Sequence, residues 1–192
     1  MDVRHHLDVT GQEDAVTVPA TATRRTATWD DYTKLGDGVR AEYIDGCIVM
    51  TPSPTREHQV ACGQFLRLLE PVLPDGYGVV SGWAWKPDAN EFIPDVMVHP
   101  ATSESVRFTG TPALAVEVLS TNRGDDLVTK LNRYAAAGLP HYWILDPANR
   151  VMLAYAGTEG IYDLVTVVDE HQPREVDFGI ASATVDMRSL LA

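Results

Sequence analysis

The sequence predicts an α/β (α+β) fold in which helices flank a mixed central β-sheet, with the core order helix, three strands, helix, strand. Segment 113–119 is apolar on both faces apart from one residue, which is typical of a strand buried on both sides. Two stretches, 55–73 and 125–137, carry apolar residues at helical spacing. The second stretch supplies the crossover that parallel pairing of 113–119 with the strand 141–145 requires.

The N-terminal part of the chain is predicted to contain an arm followed by a short helix. Residues 1–26 show no sustained hydrophobic period, so we expect a poorly ordered arm ahead of one domain over 27–192. Thr28 and Asp31 match a capping box, which predicts a helix over about 29–35.

Turn and helix-breaking residues divide the remainder of the domain. Asp45-Gly46 is a tight-turn signal that joins predicted strands over 40–44 and 47–51. Ser53-Pro54-Thr55 begins a long helix that we expect to reach about Leu73. The other predicted elements are strands over 77–86, 94–99 and 113–119, a helix over 125–137, a strand over 141–145, added hairpin strands over 150–156 and 161–168, and a helical turn over 186–191.

Composition limits the classes of protein to which the chain can belong. A hydrophobic fraction of 45% in 192 residues supports a real core, and a formal net charge of -12 argues against a broad basic surface for nucleic acid. No run reaches the roughly 18 apolar residues of a membrane span, and the N-terminus lacks a signal-peptide core. We therefore expect a cytoplasmic protein without a membrane partner, in which Cys47 and Cys62 are small buried residues and not a disulfide.

One carboxylate stands where a charge is costly. Glu117 is the only polar side chain in the run 113–119, so a metal, a cation or an opening to water must accompany it. Asp95 opens the preceding apolar strand, and Lys130 lies on the following helix. An Asp and a Glu on adjacent strands are suited to hold Mg²⁺, and a nearby Lys can act on a water molecule and on developing charge. The residues thus predict a metal-dependent phosphodiester site.

An ordered set of short motifs resembles the Uma-two family of the PD-(D/E)XK nuclease superfamily. The matching stretches are Glu42-Tyr43-Ile44-Asp45-Gly46, Pro52-Ser53-Pro54 with His58, Pro94-Asp95-Val96, Glu117-Val118-Leu119-Ser120, Asp126 with Lys130 and Tyr134, and Tyr142-Trp143-Ile144-Leu145-Asp146-Pro147. This resemblance implies a restriction-endonuclease-like core and a DNA endonuclease that uses Mg²⁺, with Mn²⁺ as a substitute.

The resemblance also implies roles for individual residues. Asp95, Glu117 and Lys130 would be catalytic, Asp95 and Glu117 would hold the metal, and the carbonyl of Val118 would be a further ligand. A literal E-x-K motif would place a lysine at position 119, but the chain has Leu119, so the lysine role is expected to move to Lys130. A homodimer is expected from base rates and from the need to cut two strands.

Several questions stay open at the level of sequence. Glu42 is either a further metal carboxylate or a surface strand residue, and His58 either contacts phosphate or an active-site carboxylate or serves the helix start. Asp126 is most simply a helix-dipole residue, and Arg123 and Arg133 are candidates for DNA backbone contacts. The alternative to a nuclease is a protein-interaction module on the same fold with a weak or vestigial site, which the net charge of -12 favours.

Overall fold

The structure is a computed structural model that describes residues 23–36, 39–120 and 124–192, without the side chains of 124–128. The greater part of the predicted arm lies outside the described residues. The same holds for Arg123 and for the side chain of Asp126, so the roles expected of these two residues stay predictions.

Strands outnumber helices in the described part of the chain. In chain order the elements are β1 (Thr23–Thr26), α1 (Trp29–Thr33), β2 (Ala41–Ile44), β3 (Cys47–Met50), α2 (Arg56–Leu69), a 3₁₀ helix (Glu70–Val72), β4 (Tyr77–Ser81), β5 (Ala84–Trp85), β6 (Val96–Pro100), β7 (Arg107–Phe108), β8 (Leu114–Val118), α3 (Gly124–Ala136), β9 (His141–Asp146), β10 (Val151–Thr158), β11 (Ile161–Val168), β12 (Arg174–Asp177), β13 (Ser182–Val185) and α4 (Met187–Leu190).

A six-stranded mixed sheet forms the centre of the fold, in the order β11-β10-β9-β8-β6-β4. Strands β4, β6 and β8 form an antiparallel meander, and β8 pairs with β9 in parallel. Helix α3 makes the crossover between β8 and β9, because parallel neighbours cannot be joined by a tight turn. The predicted α/β (α+β) class with a mixed central sheet is confirmed.

Local signals explain several element boundaries. The Thr28 side chain and Asp31 form both bonds of the predicted capping box at the start of α1, and the Thr55 hydroxyl accepts the backbone N–H of His58 at the start of α2. Asp45 and Gly46 both adopt positive φ, of 54° and 70°, in the turn between β2 and β3.

Several elements differ from the sequence-based expectation. Thr23–Thr26 pairs with β3, so the predicted end of the arm at residue 26 is wrong for these four residues; all four are exposed and leave no hydrophobic pattern. The strand expected over 77–86 is interrupted at Gly82, where φ is +63°. Helix α2 ends at Leu69, because Pro71 lacks a backbone N–H and cannot continue a helix. The short β7 and the hairpin β12–β13 were not expected.

The central sheet is covered on both faces, and this sets the direction of Glu117. Val116 and Val118 of β8 belong to an apolar cluster with Phe65 of α2, whereas Ala115 belongs to a second cluster with Tyr134 of α3. Because successive side chains of a strand point to opposite faces, Glu117 shares the α3 face with Ala115. In the described part of the chain, no helix has the length and apolarity needed to cross a membrane.

Candidate active site

The register of two strands brings Asp95 and Glu117 to the same edge of the central sheet. Val96 of β6 is paired with Val116 of antiparallel β8, so the residue before β6 meets the end of β8. The backbone N–H of Val118 donates to Oδ2 of Asp95 over 2.9 Å. Both carboxylates are buried, with exposed fractions of 3% for Asp95 and 4% for Glu117.

Asp95 is held by two N–H donors and lies against the ring of His58. Nη2 of Arg40 donates to Oδ1 over 3.0 Å, and Nε2 of His58 lies 3.0 Å from Oδ2, beside the N–H of Val118. Burial raises the pKa of Asp95, but the hydrogen bond and charge of His58, with the charge of Lys130, outweigh burial and lower that pKa to about 2. The Asp95 carboxylate is therefore charged at neutral pH.

Lys130 lies between two carboxylates. Its Nζ is 2.9 Å from Oε1 of Glu117 and 3.0 Å from Oε1 of Glu42. The backbone N–H of Ile93 donates to the same Glu42 oxygen over 2.8 Å, and the Tyr134 hydroxyl donates to Oε1 of Glu117 over 2.9 Å. Lys130 is only 3% exposed, so its ammonium is fixed at the end of β8 and does not extend into solvent.

The electrostatics of Glu117 differ from those of Asp95. Burial raises the pKa of Glu117 to about 8; the Lys130 charge opposes this shift, while the charges of Asp95 and Glu42 add to it. Burial and the neighbouring Glu117 also hold the pKa of the Tyr134 hydroxyl well above its usual value, so this group stays a hydrogen-bond donor. Without a metal ion, Glu117 therefore holds a proton far more readily than Asp95 does.

The residues present fit a divalent cation. Three buried carboxylates, from Glu42, Asp95 and Glu117, offer the oxygen ligands that hard cations prefer. Oε2 of Glu42 is buried and has no hydrogen-bond partner among the described residues, which is costly for a carboxylate oxygen unless a cation or water takes it up. Glu42 and Lys130 also line a small cavity of about 10 Å³, comparable with one water molecule.

A larger cleft beside the cluster connects it to solvent. It has a volume of about 660 Å³ and is lined by residues 55–58 and 60 of α2, by 118–120 after β8, by 146–149 after β9 and by 190–192. His58 and Val118 belong both to this cleft and to the immediate surroundings of Asp95. The cleft therefore reaches the cluster through His58 and Val118, while the Asp95 carboxylate lies behind them and does not line it.

Comparison with known proteins assigns the family. The sequence model of the Uma2 family, described as "Putative restriction endonuclease", matches residues 29–186. The chain belongs to the Uma2 family. A solved structure described as a putative nuclease belonging to DUF820, from Anabaena variabilis ATCC 29413, shares 19% sequence identity and superposes with a TM-score of 0.68. The match covers 85% of this chain and 97% of that one, and it shows a common fold. No curated protein matches the chain.

In this Uma2 protein the five residues singled out from the sequence all lie in one buried cluster. Asp95, Glu117 and Lys130 are joined by Glu42 and His58, whose roles the sequence left open: Glu42 contacts Lys130, and His58 contacts the Asp95 carboxylate. The ligand role expected of the Val118 carbonyl stays a prediction, and the N–H of the same residue donates to Asp95.

Other participants were not recognised from the sequence. Arg40 was not singled out from the sequence, and Tyr134 was named only as a motif residue of the family resemblance, without a role. Cys62 was expected to be a small buried residue, and its Sγ lies 3.6 Å from Nδ1 of His58; burial raises the pKa of this thiol to about 12. A signal existed for two of them, since Tyr134 follows Lys130, and Cys62 follows His58, by four residues on one helix face.

Proposed function

We propose that this Uma2 protein is an endonuclease that hydrolyses DNA phosphodiester bonds at Asp95, Glu117 and Lys130 with a divalent cation, Mg²⁺ or its substitute Mn²⁺. The observation that carries the proposal is the buried Lys130 ammonium, held 2.9 Å from Glu117 at the sheet edge that also carries Asp95. A buried cluster of this kind next to an open cleft is an expected place for chemistry on a bound ligand.

Each residue has a role that its contacts support. A bound divalent cation would neutralise phosphoryl oxygens and lower the pKa of a coordinated water. Asp95 and Glu117 would hold that ion, and the spare oxygen of Glu42 would complete its surroundings. Lys130, kept in place by two carboxylates, would orient the attacking water and stabilise the charge that develops on the phosphate.

The overall charge limits how such a protein can bind DNA. A net charge of -12 argues against a broad basic surface and leaves room for a local basic groove, so we expect modest affinity that falls steeply with salt. Arg133, a candidate for backbone contacts, has its Nη2 2.7 Å from Oδ2 of Asp45, so it is already engaged at the β2–β3 turn. A homodimer would allow both strands to be cut, and this stays a prediction.

The alternative function, an interaction module with a vestigial site, is favoured by the net charge of -12 and by one structural observation. Edge strand β11 carries apolar side chains that are unusually exposed: Ile161 (69%), Leu164 (50%), Val165 (53%) and Val167 (43%). An edge strand with exposed aliphatic residues is suited to pair with another protein.

Cleavage assays separate the two functions. Single- and double-stranded DNA would be incubated at low salt with Mg²⁺ or Mn²⁺ and with wild type, Lys130→Ala or Arg133→Ala protein. The nuclease reading expects cleavage by wild type and by Arg133→Ala, and none by Lys130→Ala. If wild type and Lys130→Ala are equally inert and neither binds DNA at low salt, the interaction module becomes the better account.

A further inference from the structure

The imidazole of His58 is fixed between two partners in the first turn of α2. Nε2 lies 3.0 Å from Oδ2 of Asp95, and Nδ1 lies 3.6 Å from Sγ of Cys62. The ring is buried, with 9% exposure, and the Thr55 hydroxyl accepts its backbone N–H. One ring nitrogen is therefore held against a carboxylate that we have assigned to the metal, and the ring has little freedom to turn away.

We propose that His58 is a further metal ligand, through Nε2, and that it gives the site a preference for a first-row transition-metal ion such as Mn²⁺ over Mg²⁺. This inference rests on the proposed function, because it concerns the same ion. Imidazole nitrogen is a good ligand for first-row transition metals, whereas Mg²⁺ prefers oxygen and gives up its water reluctantly.

The spacing of the two atoms supports shared coordination. Ligand atoms at right angles around an octahedral ion with bonds of about 2.1 Å lie about 3 Å apart, and Nε2 of His58 and Oδ2 of Asp95 are 3.0 Å apart. Arg40 and the N–H of Val118 restrain the Asp95 carboxylate. The two atoms share a hydrogen bond at this separation, so an ion bound by both would replace the proton between them with little movement of either atom.

Cys62 contacts the other ring nitrogen of His58, Nδ1. A thiol is both a weak donor and a weak acceptor, so it can serve Nδ1 whether or not that nitrogen carries the proton. When Nε2 gives its lone pair to an ion, Nδ1–H can donate to Sγ, as the second ring nitrogen of a metal-bound histidine usually does to some acceptor. Cys62 faces Nδ1 and not Nε2, so it supports the ligand and does not bind the same ion.

Metal titrations and pulsed electron paramagnetic resonance test this assignment. Mn²⁺ and Mg²⁺ binding would be measured by calorimetry for wild type, His58→Gln and the control His99→Gln, and bound Mn²⁺ would be examined for nitrogen hyperfine coupling. His99 is the matched control, since it lies on β6 beyond Asp95 and contacts Trp83 and Phe108 instead of the cluster.

Wild type and His99→Gln should bind Mn²⁺ at least about tenfold more tightly than Mg²⁺ and show nitrogen coupling. His58→Gln should lose the coupling and about 10- to 100-fold of Mn²⁺ affinity, with Mg²⁺ affinity changed far less. Wild-type protein labelled with ¹⁵N-histidine supplies the same answer without any substitution, because the coupling must then change to that of the new isotope.

The possible failures are distinguishable. If wild type binds both ions equally and shows no nitrogen coupling, His58 is not a ligand, while the proposed nuclease site stands. Coupling that persists in His58→Gln overturns the assignment too. Zn²⁺ binding that is abolished by Cys62→Ala, with no Mn²⁺ preference, would indicate a thiolate site instead. If wild type binds no divalent ion at all, the proposed function itself fails.

Discussion

Replacing Glu117 by Gln removes a titratable buried carboxyl group and keeps the shape of the side chain. Burial raises the pKa of this carboxyl from 4.5 to about 8, so the folded metal-free protein holds the proton more tightly than the unfolded chain does. The contribution of Glu117 to the free energy of unfolding is therefore largest at or below pH 4.5 and falls as the pH rises towards about 8. At about 1.4 kcal/mol per pKa unit, the total decrease in the free energy of unfolding is on the order of 5 kcal/mol.

The Glu117→Gln variant should lose this pH dependence. Its amide oxygen can still accept hydrogen bonds from Lys130 and Tyr134, and Lys130 keeps Glu42 as a partner. Asp95 does not interfere, because its pKa is lowered to about 2, and its contribution is lost only in more acid solution. Without metal, the variant should be at least as stable as wild type near pH 8, and the advantage should shrink towards pH 5.

Urea unfolding followed by circular dichroism, in EDTA and at several pH values between about 5 and 8, measures the effect. Glu91→Gln is a matched control, since Glu91 is also buried but pairs with Arg107 away from the cluster; this change should reduce stability at every pH. A Glu117→Gln protein that is less stable than wild type by a constant amount across the range would show that Glu117 is a structural ion-pair partner, and the reasoning would be wrong.

Further predictions concern Lys130, its partners and salt. Lys130→Ala should abolish turnover while retaining metal binding. It should also lower the stability of the metal-free protein by about 3 kcal/mol, because it leaves buried carboxylates uncompensated. In thermal unfolding, the melting temperature of the variant should be lowered without metal and should rise again when Mn²⁺ is added; an unchanged melting temperature would contradict this prediction. Tyr134→Phe should reduce stability by about 1 kcal/mol in urea unfolding, because it loses the hydrogen bond to Glu117. DNA cleavage should remain detectable in this variant; complete loss of cleavage in a folded variant would give Tyr134 a direct role in the reaction. DNA affinity measured by fluorescence anisotropy should fall as a power of salt concentration, and salt-independent binding would argue against phosphate contacts.

Much of the central sheet was predictable because its signals are local. A doubly apolar run identified β8, and one acidic residue within it identified Glu117. The motif set identified Asp95 and Lys130, since each lies at a defined place relative to a strand or helix boundary. Their catalytic roles stay predictions, and what the structure adds is that the three side chains lie in one buried cluster.

The parts that were missed depend on contacts distant in sequence. Arg40 reaches Asp95 across 55 positions, and nothing near Arg40 distinguishes it from other surface arginines. Strand β1 is exposed at all four residues and exists through pairing with β3. The hairpin β12–β13 is short and buries only a few side chains against the core, so its pattern is too brief to read.

The position of Lys130 has a mechanical consequence. Glu42 belongs to the small sheet β1-β3-β2 and Glu117 to the central sheet, and the same ammonium contacts both. The cluster therefore also connects the small sheet to the central sheet. An ion bound by both carboxylates would strengthen this connection. The amide protons of β2 should therefore exchange with solvent more slowly when the ion is bound, although no residue of β2 lines the cleft described above.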